Sequence, residues 1–273
     1  MNSPKEVANN YVGIGRGKAQ LPISKMIVLG MLAGMFIALA AVGANTATCT
    51  IANASVGKLA SACVFPVGLI MVLVAGSELF TGNTLMIIPL MEKEISVGAM
   101  LKNWLFVYIG NLIGSLLIVA IACYGTQWNL FGGALAVTTM KIAATKVGYS
   151  FGAAVALGTG CNFLVCIAVW ISFAAKTDVG KVAWLYMPIM VFVLSGFEHS
   201  VANMYYVPAG VVAAGIEKYA ALAVEAGVNI DVLTWGNFFL HNLLPVTIGN
   251  IIGGSILVGL FYWFCYVKGN KAA

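Results

Sequence analysis

The sequence predicts an all-α membrane protein: six transmembrane helices arranged as two inverted three-helix repeats, with the second and fifth helices broken. Three observations predict it. Hydrophobic residues make up 61% of the 273 and charged residues only 8%, whereas a soluble surface needs about 25% charged residues. Six apolar stretches are long enough to cross a bilayer core, which takes about 20 helical residues. The last three stretches repeat motifs of the first three.

Residues 1–25 precede the first stretch. They lack a basic start, an apolar run and a small-residue cleavage site, and so read as a retained interfacial segment with no cleaved signal peptide. Val7, Tyr11 and Ile14 share one helical face, and GIGRGK (13–18) reads as the joint after that helix. GIGRGK has neither the strand of a dinucleotide fingerprint nor the spacing of a P-loop.

The apolar stretches are 26–46, 59–90, 103–124, 150–174, 183–215 and 237–267. They divide into a first unit (26–124) and a second unit (150–267), followed by a tail at 268–273. An even number of crossings puts both termini on one side. That side then holds ten of the 14 basic residues, which makes it the cytoplasmic one by the positive-inside rule. The expected location is therefore the plasma (inner) membrane with cytoplasmic termini, and the charge of +5 reflects orientation in a membrane rather than nucleic-acid binding.

The repeat is visible in paired motifs. YIGNLIGSLLIVAIACY (108–124) corresponds to TIGNIIGGSILVGLFYW (247–263), GSELFTGN (76–83) to GFEHSVAN (196–203), and AGMFIALA (33–40) more loosely to GCNFLVCIA (160–168). Each unit crosses three times, so the second enters from the opposite face and the units are inverted. Stretches two and five hold roughly 32 residues each, about 48 Å of helix against a core of about 30 Å, so neither is one straight helix. Pro66, Gly76, Gly82 and Pro89 in one, and Pro188, Gly196, Pro208 and Gly210 in the other, supply breaks. The expected breaks lie at the glutamate segments. Two such breaks meeting at the repeat axis form a pathway; the alternative is a pair of kinked helices without one.

Ionisable side chains at bilayer depth cost about 2.5–3.5 kcal/mol on insertion scales and take partners or line a cavity. Glu78 and Glu198, with Asn83 and Asn203 five residues on, match between the units and read as scaffold for the broken segments. His199 stands where the first unit has Leu79, and is the asymmetric, titratable candidate for function. Thr81 would bring a hydroxyl to the pathway and Phe80 an apolar plug. The pairs Gly30/Gly34, Gly110/Gly114 and Gly249/Gly253 mark close helix approach. The six cysteines show no metal-ligand spacing; no metal site or cofactor is expected, and a Cys49–Cys63 disulfide stays open.

On SELFTGN, GFEHSVANM and NLLPVTIGNIIGG, the chain resembles the formate/nitrite transporter family over nearly its whole length, nearest the formate branch. The resemblance implies an aquaporin-like fold, a homopentamer with one pathway per subunit, and no enzymatic activity. It implies transport of a small monovalent weak-acid anion: formate first, nitrite or hydrosulfide as alternatives. By motif, His199 becomes the central pore histidine and Thr81 its hydrogen-bonding threonine. Lys146 becomes the outer vestibule lysine and Asn162 the pore-side asparagine, with constrictions from Phe65, Leu69, Leu79, Phe80, Val165 and Phe192. His199 would then pair with the anion or give it a proton. The competing reading of another class is a membrane redox protein with His199 and His241 as haem ligands.

Overall fold

The computed structural model describes residues 1–269 and contains helices and no strands among them. The tail expected at 268–273, including Lys271, therefore lies outside the described residues from 270 onward. The N-terminal segment forms α1 (Pro4–Ala19), after which come α2 (Ile23–Thr48), α3 (Ala54–Val64), α4 (Val67–Val74), the short α5 (Phe80–Asn83), α6 (Ile87–Met91) and α7 (Val97–Tyr124) in the first expected unit. Between the expected units lies α8 (Ala134–Val147), and then follow α9 (Phe151–Ser172), α10 (Asp178–Leu194), α11 (Ser200–Ala214) and α12 (Glu217–Glu225), then α13 (Trp235–Asn237), α14 (Leu244–Ile251) and α15 (Phe261–Tyr266). The last three are joined through π-helical stretches at Phe238–Leu243 and Ile252–Leu260 into one sixth span, whereas its counterpart α7 is regular α-helix throughout.

Six described helices are long and apolar enough to cross a membrane, or seven when the bent pair α11–α12, turned by 100°, counts as one span. Their membership differs in one place from the six expected stretches. The fifth stretch is divided into α10 and α11, of 17 and 15 residues, each short of a full crossing because the break at 195–199 separates them. In its place stands Gln127–Val147, the least apolar of the six at a mean hydropathy of 1.2. Leu130, Phe131 and Gly132 interrupt its first turns with non-helical backbone, leaving α8 with 14 residues, about 21 Å of helix, too short for a core of about 30 Å.

Both breaks fall at the glutamate segments, at 75–79 and 195–199. Each begins on a glycine in the left-handed region, Gly76 at φ 77° and Gly196 at φ 73°, where a β-carbon would be strained. Each ends on an extended residue, Leu79 (φ −110°, ψ 123°) or His199 (φ −110°, ψ 115°), that starts the next half-helix. Gly82 and Gly210 lie inside helices instead.

The outer helices of each unit pack closely, α2 along α7 and α9 along α14. A β-carbon on Gly114 would run into the Met31 carbonyl, and one on Gly253 into that of Thr159, so these small residues let the backbones touch. At the N-terminus, α1 carries a capping box between Ser3 and Glu6 and continues unbroken through GIGRGK to Ala19. The expected joint at 13–18 is thus helix, closed at Gln20. Val7 and Tyr11 are buried beneath it, and Ile14 faces the cavity described next.

Candidate functional site

The exposed backbone of the two breaks is satisfied by the same set of bonds twice over. Glu78 N–H donates to Leu29 O at 3.2 Å, and Glu198 N–H to Leu157 O at 3.3 Å. The first N–H of each following half-helix donates to an asparagine: Phe80 N–H to Asn111 Oδ1 at 3.0 Å, Ser200 N–H to Asn250 Oδ1 at 2.9 Å. The same asparagines turn their amides to the carbonyls of Gly30 and Glu78, and of Gly158 and Glu198, at 2.8–3.0 Å. Asn111 and Asn250 are fully buried. They were missed as individual residues in the sequence, although each is the Asn of the repeated IGN, and their service to freed backbone groups is what non-helical chain at bilayer depth requires.

The two glutamates bond to side chains rather than to the backbone of the breaks. Glu78 accepts from Lys18 Nζ at 2.6 Å and Asn83 Nδ2 at 2.7 Å. Glu198 accepts from Lys146 Nζ at 2.9 and 3.1 Å and from Asn203 Nδ2 at 2.7 Å. Asn103 then holds the Lys18 carbonyl and Asn242 the Lys146 carbonyl. The correspondence thus extends to α1 and α8, each of which lays a lysine on a buried glutamate. Lys146, expected to act as a cation at the mouth, is neutralised by its partner. In the sequence Lys18 is simply one of the ten basic residues on the cytoplasmic side.

Three spaces are connected through shared lining residues. A cavity of about 300 Å³ on the α1 side is lined by Tyr11, Lys18, Glu78 and Lys181 among others. One of about 180 Å³ on the α8 side is lined by Lys58, Lys146, Tyr149, Glu198 and Tyr206 among others. Leu69 and Leu79 line the first, Phe65, Phe192 and His199 the second, and all five also line a void of about 10 Å³ between them. Ile37, Val165 and Ile189 complete the lining of that void. Its size is at the lower limit for holding one water, about 10–15 Å³, and His199 is the one polar residue among its lining residues.

His199 is 3% exposed. Its Nδ1 accepts from Ala202 N–H at 3.0 Å, capping α11, so the neutral ring carries its proton on Nε2. Nε2 lies 2.9 Å from Thr81 Oγ1, and the hydroxyl accepts that proton and keeps its own free to donate. Both ring nitrogens are engaged by the protein, and His241 is exposed on the sixth span, an arrangement that offers no pair of axial haem ligands.

Three expected pathway residues line none of the three spaces: Thr81, fully buried, touches the pathway only through its bond to His199, and two others are placed elsewhere. Phe80 follows the extended Leu79, so when Leu79 points to the void Phe80 points away; it packs edge-on against Trp104 and Tyr108, with ring centroids 5.9 and 4.8 Å apart. Asn162 is fully buried behind Thr81, its amide within 3.2 Å of Thr81 O, 3.1 Å of Thr84 Oγ1 and 2.7 Å of Asn250 O. It holds the backbone under Thr81 and lines none of the three spaces. Cys49 and Cys63 are free thiols.

A family profile described as "Formate/nitrite transporter" matches residues 5–264. The chain belongs to the formate/nitrite transporter family. It is a multi-pass membrane transport protein and not an enzyme. Within the family, it is 37% identical to a probable formate transporter of Methanothermobacter thermautotrophicus, over 97% of each chain. It is 40% identical to the formate channel FocA of Escherichia coli K12, over 90% of this chain and 88% of the other. A solved structure titled "Pentameric formate channel with formate bound" superposes with a TM-score of 0.80 at 37% identity, covering 90% of this chain and 98% of that one.

Proposed function

We propose that this protein is a channel for small monovalent anions of weak acids, with formate as its principal substrate, and that the acid crosses the central void in neutral form. The observation that carries this reading is the apolar void with one polar side chain, bounded by a cavity on either side. Hydrophobic constrictions oppose a bare anion, because an unpaired buried charge costs far more than a neutral polar group. Desolvation at the constriction raises the pKa of an entering acid, so it takes a proton from vestibule water. The neutral acid then meets the His199 ring, whose Nε2–H is held by the buried Thr81 hydroxyl, the one polar step across the barrier.

His199 acts in this reading as a neutral hydrogen-bond donor, working through Thr81, and not as the source of the proton. An imidazolium would need a proton on Nδ1 and would lose the Ala202 cap bond. The pathway belongs to each subunit of a homopentamer, as the pentameric relative of similar fold suggests, set in the plasma membrane with both termini cytoplasmic. Reconstituted protein is expected to pass formate faster than nitrite or hydrosulfide, with flux rising as pH falls toward the acid's pKa. Thr81→Val is expected to slow formate by roughly 10-fold, the effect of losing about 1.4 kcal/mol of hydrogen bonding. Wild-type vesicles impermeable to all three anions would refute the channel reading.

A further inference from the structure

The sixth span carries one residue that its counterpart lacks. IGNLIGSLL (109–117) on α7 matches IGNIIGGSIL (248–257) once Gly254 is counted as extra, which pairs Ser115 with Ser255. Burial supports that pairing: Ser115, Ile118 and Val119 are buried, and so are Ser255, Val258 and Gly259. In an α-helix one added residue turns everything after it by about 100°. The π-helical stretch Ile252–Leu260 absorbs it and restores the buried face.

The two serines nevertheless bond differently. Ser115 Oγ donates to Gly34 O at 3.3 Å, on the outer helix of its own unit. Ser255 Oγ donates to Thr84 O at 2.9 Å, on the broken span of the other unit. Gly30 and Gly158 hold equivalent bonds to Asn111 and Asn250, so the residue four places after each also corresponds, and Asn162 stands where the first unit has Gly34. A β-carbon on Gly254 would run into the Thr84 hydroxyl and the Asn162 amide. The extra glycine thus makes room for the asparagine and moves the serine off α9. Thr84 Oγ1 in turn donates to Thr81 O at 2.6 Å, and Thr81 Oγ1 meets His199 Nε2. We propose that Ser255 is a positioning residue for the Thr81–His199 pair, and that the extra Gly254 is the device that turns it onto the half-helix carrying Thr81. This rests on the channel reading above. A side chain that must stay within hydrogen-bond reach of a functional group needs its geometry held to about 0.5 Å, which packing and supporting hydrogen bonds supply.

The test is a double-mutant cycle on formate flux in proteoliposomes, with Ser255→Ala made in the wild type and in Thr81→Val. In the wild type, maximal flux is expected to fall by about 5-fold, the effect of one lost hydrogen bond, while half-saturation stays within about 2-fold. In the Thr81→Val background the same substitution changes flux by less than about 1.5-fold, because the group it positions is gone. Gly254→Ala keeps the serine but drives a β-carbon into its supports, and is expected to lower maximal flux by about 10-fold or more, again only where Thr81 is present. Unchanged flux in Ser255→Ala, or an equal fall in both backgrounds, would overturn the positioning role while leaving the channel reading intact. Failure of Ser255→Ala to fold would overturn it too, by making the serine a support of the whole fold. Absence of formate flux in the wild type would overturn the channel reading itself.

Discussion

The two broken spans are built alike and used differently. At 75–79 and 195–199 the chain turns on a left-handed glycine, ties a backbone N–H to the neighbouring outer helix, and starts the next half-helix on an asparagine side chain. Behind each break a lysine, a glutamate and an asparagine form a bonded trio. At the void the symmetry of the breaks fails. Leu79 faces it from the first unit and His199 from the second, and Thr81, whose counterpart is Val201, completes a hydrogen bond across the axis. The difference separates two demands: keeping irregular backbone satisfied within a bilayer is met by duplication, and a polar step in an apolar barrier is needed once.

The sharpest way to break the comparison is to remove one shared support. Asn250→Leu strands the Ser200 N–H and the carbonyls of Gly158 and Glu198, and Asn111→Leu strands the equivalent set. At about 1–3 kcal/mol per orphaned buried group, each variant is expected to lose several kcal/mol. Thermal unfolding in detergent should show similar, large decreases in Tm for both. A large loss for one and none for the other would end the claim of equivalent scaffolds.

A second test moves the asymmetry. Exchanging the contents of the two breaks, with His199→Leu and Thr81→Val combined with Leu79→His and Val201→Thr, rebuilds the polar pair in mirror position. Formate flux should recover to within about 10-fold of wild type, a deficit of about 1.4 kcal/mol, whereas His199→Leu/Thr81→Val alone stays blocked. Less drastically, Leu79→Ala widens the void without touching the pair. Its expected signature is a several-fold gain for acids larger than formate with formate little changed, read in competition assays.

The smallest expected effect concerns α1. The Ser3 backbone N–H and hydroxyl donate to the Glu6 carboxylate and hold its pKa below the usual carboxylate range. A pKa depressed in the folded state gives stability that is present above the unfolded value, about 4.3, and is lost as pH falls through the folded value. The protection factor of the first-turn amides of α1, exchange corrected for the intrinsic rate, should therefore fall on acidification below about pH 4, and Ser3→Ala should lower it at neutral pH.

Much of this was legible in the sequence because bilayer chemistry is strict. The inverted repeat, both breaks and the odd position of His199 follow from paired motifs and from lengths that exceed the membrane. What was not legible is what side chains do once the backbone turns. Phe80 reads as a plug by proximity to Thr81, but the extended Leu79 before it sends it to the opposite side. Lys146 reads as a free cation because Glu198, 52 residues on, reaches it only through the fold. Ile37 and Ile189 are ordinary apolar residues in the sequence, and join the void only because four helices, α2, α4, α9 and α10, converge there.

The account stands most directly on formate flux through His199→Phe in proteoliposomes, beside wild type and across pH. The substitution fills the void and removes its one polar group while leaving the Lys146–Glu198–Asn203 trio in place. The predicted result is a loss of about 100-fold or more, the equivalent of about 2.8 kcal/mol at the barrier, at every pH. Formate flux of unchanged size and pH dependence would contradict the central role assigned to His199.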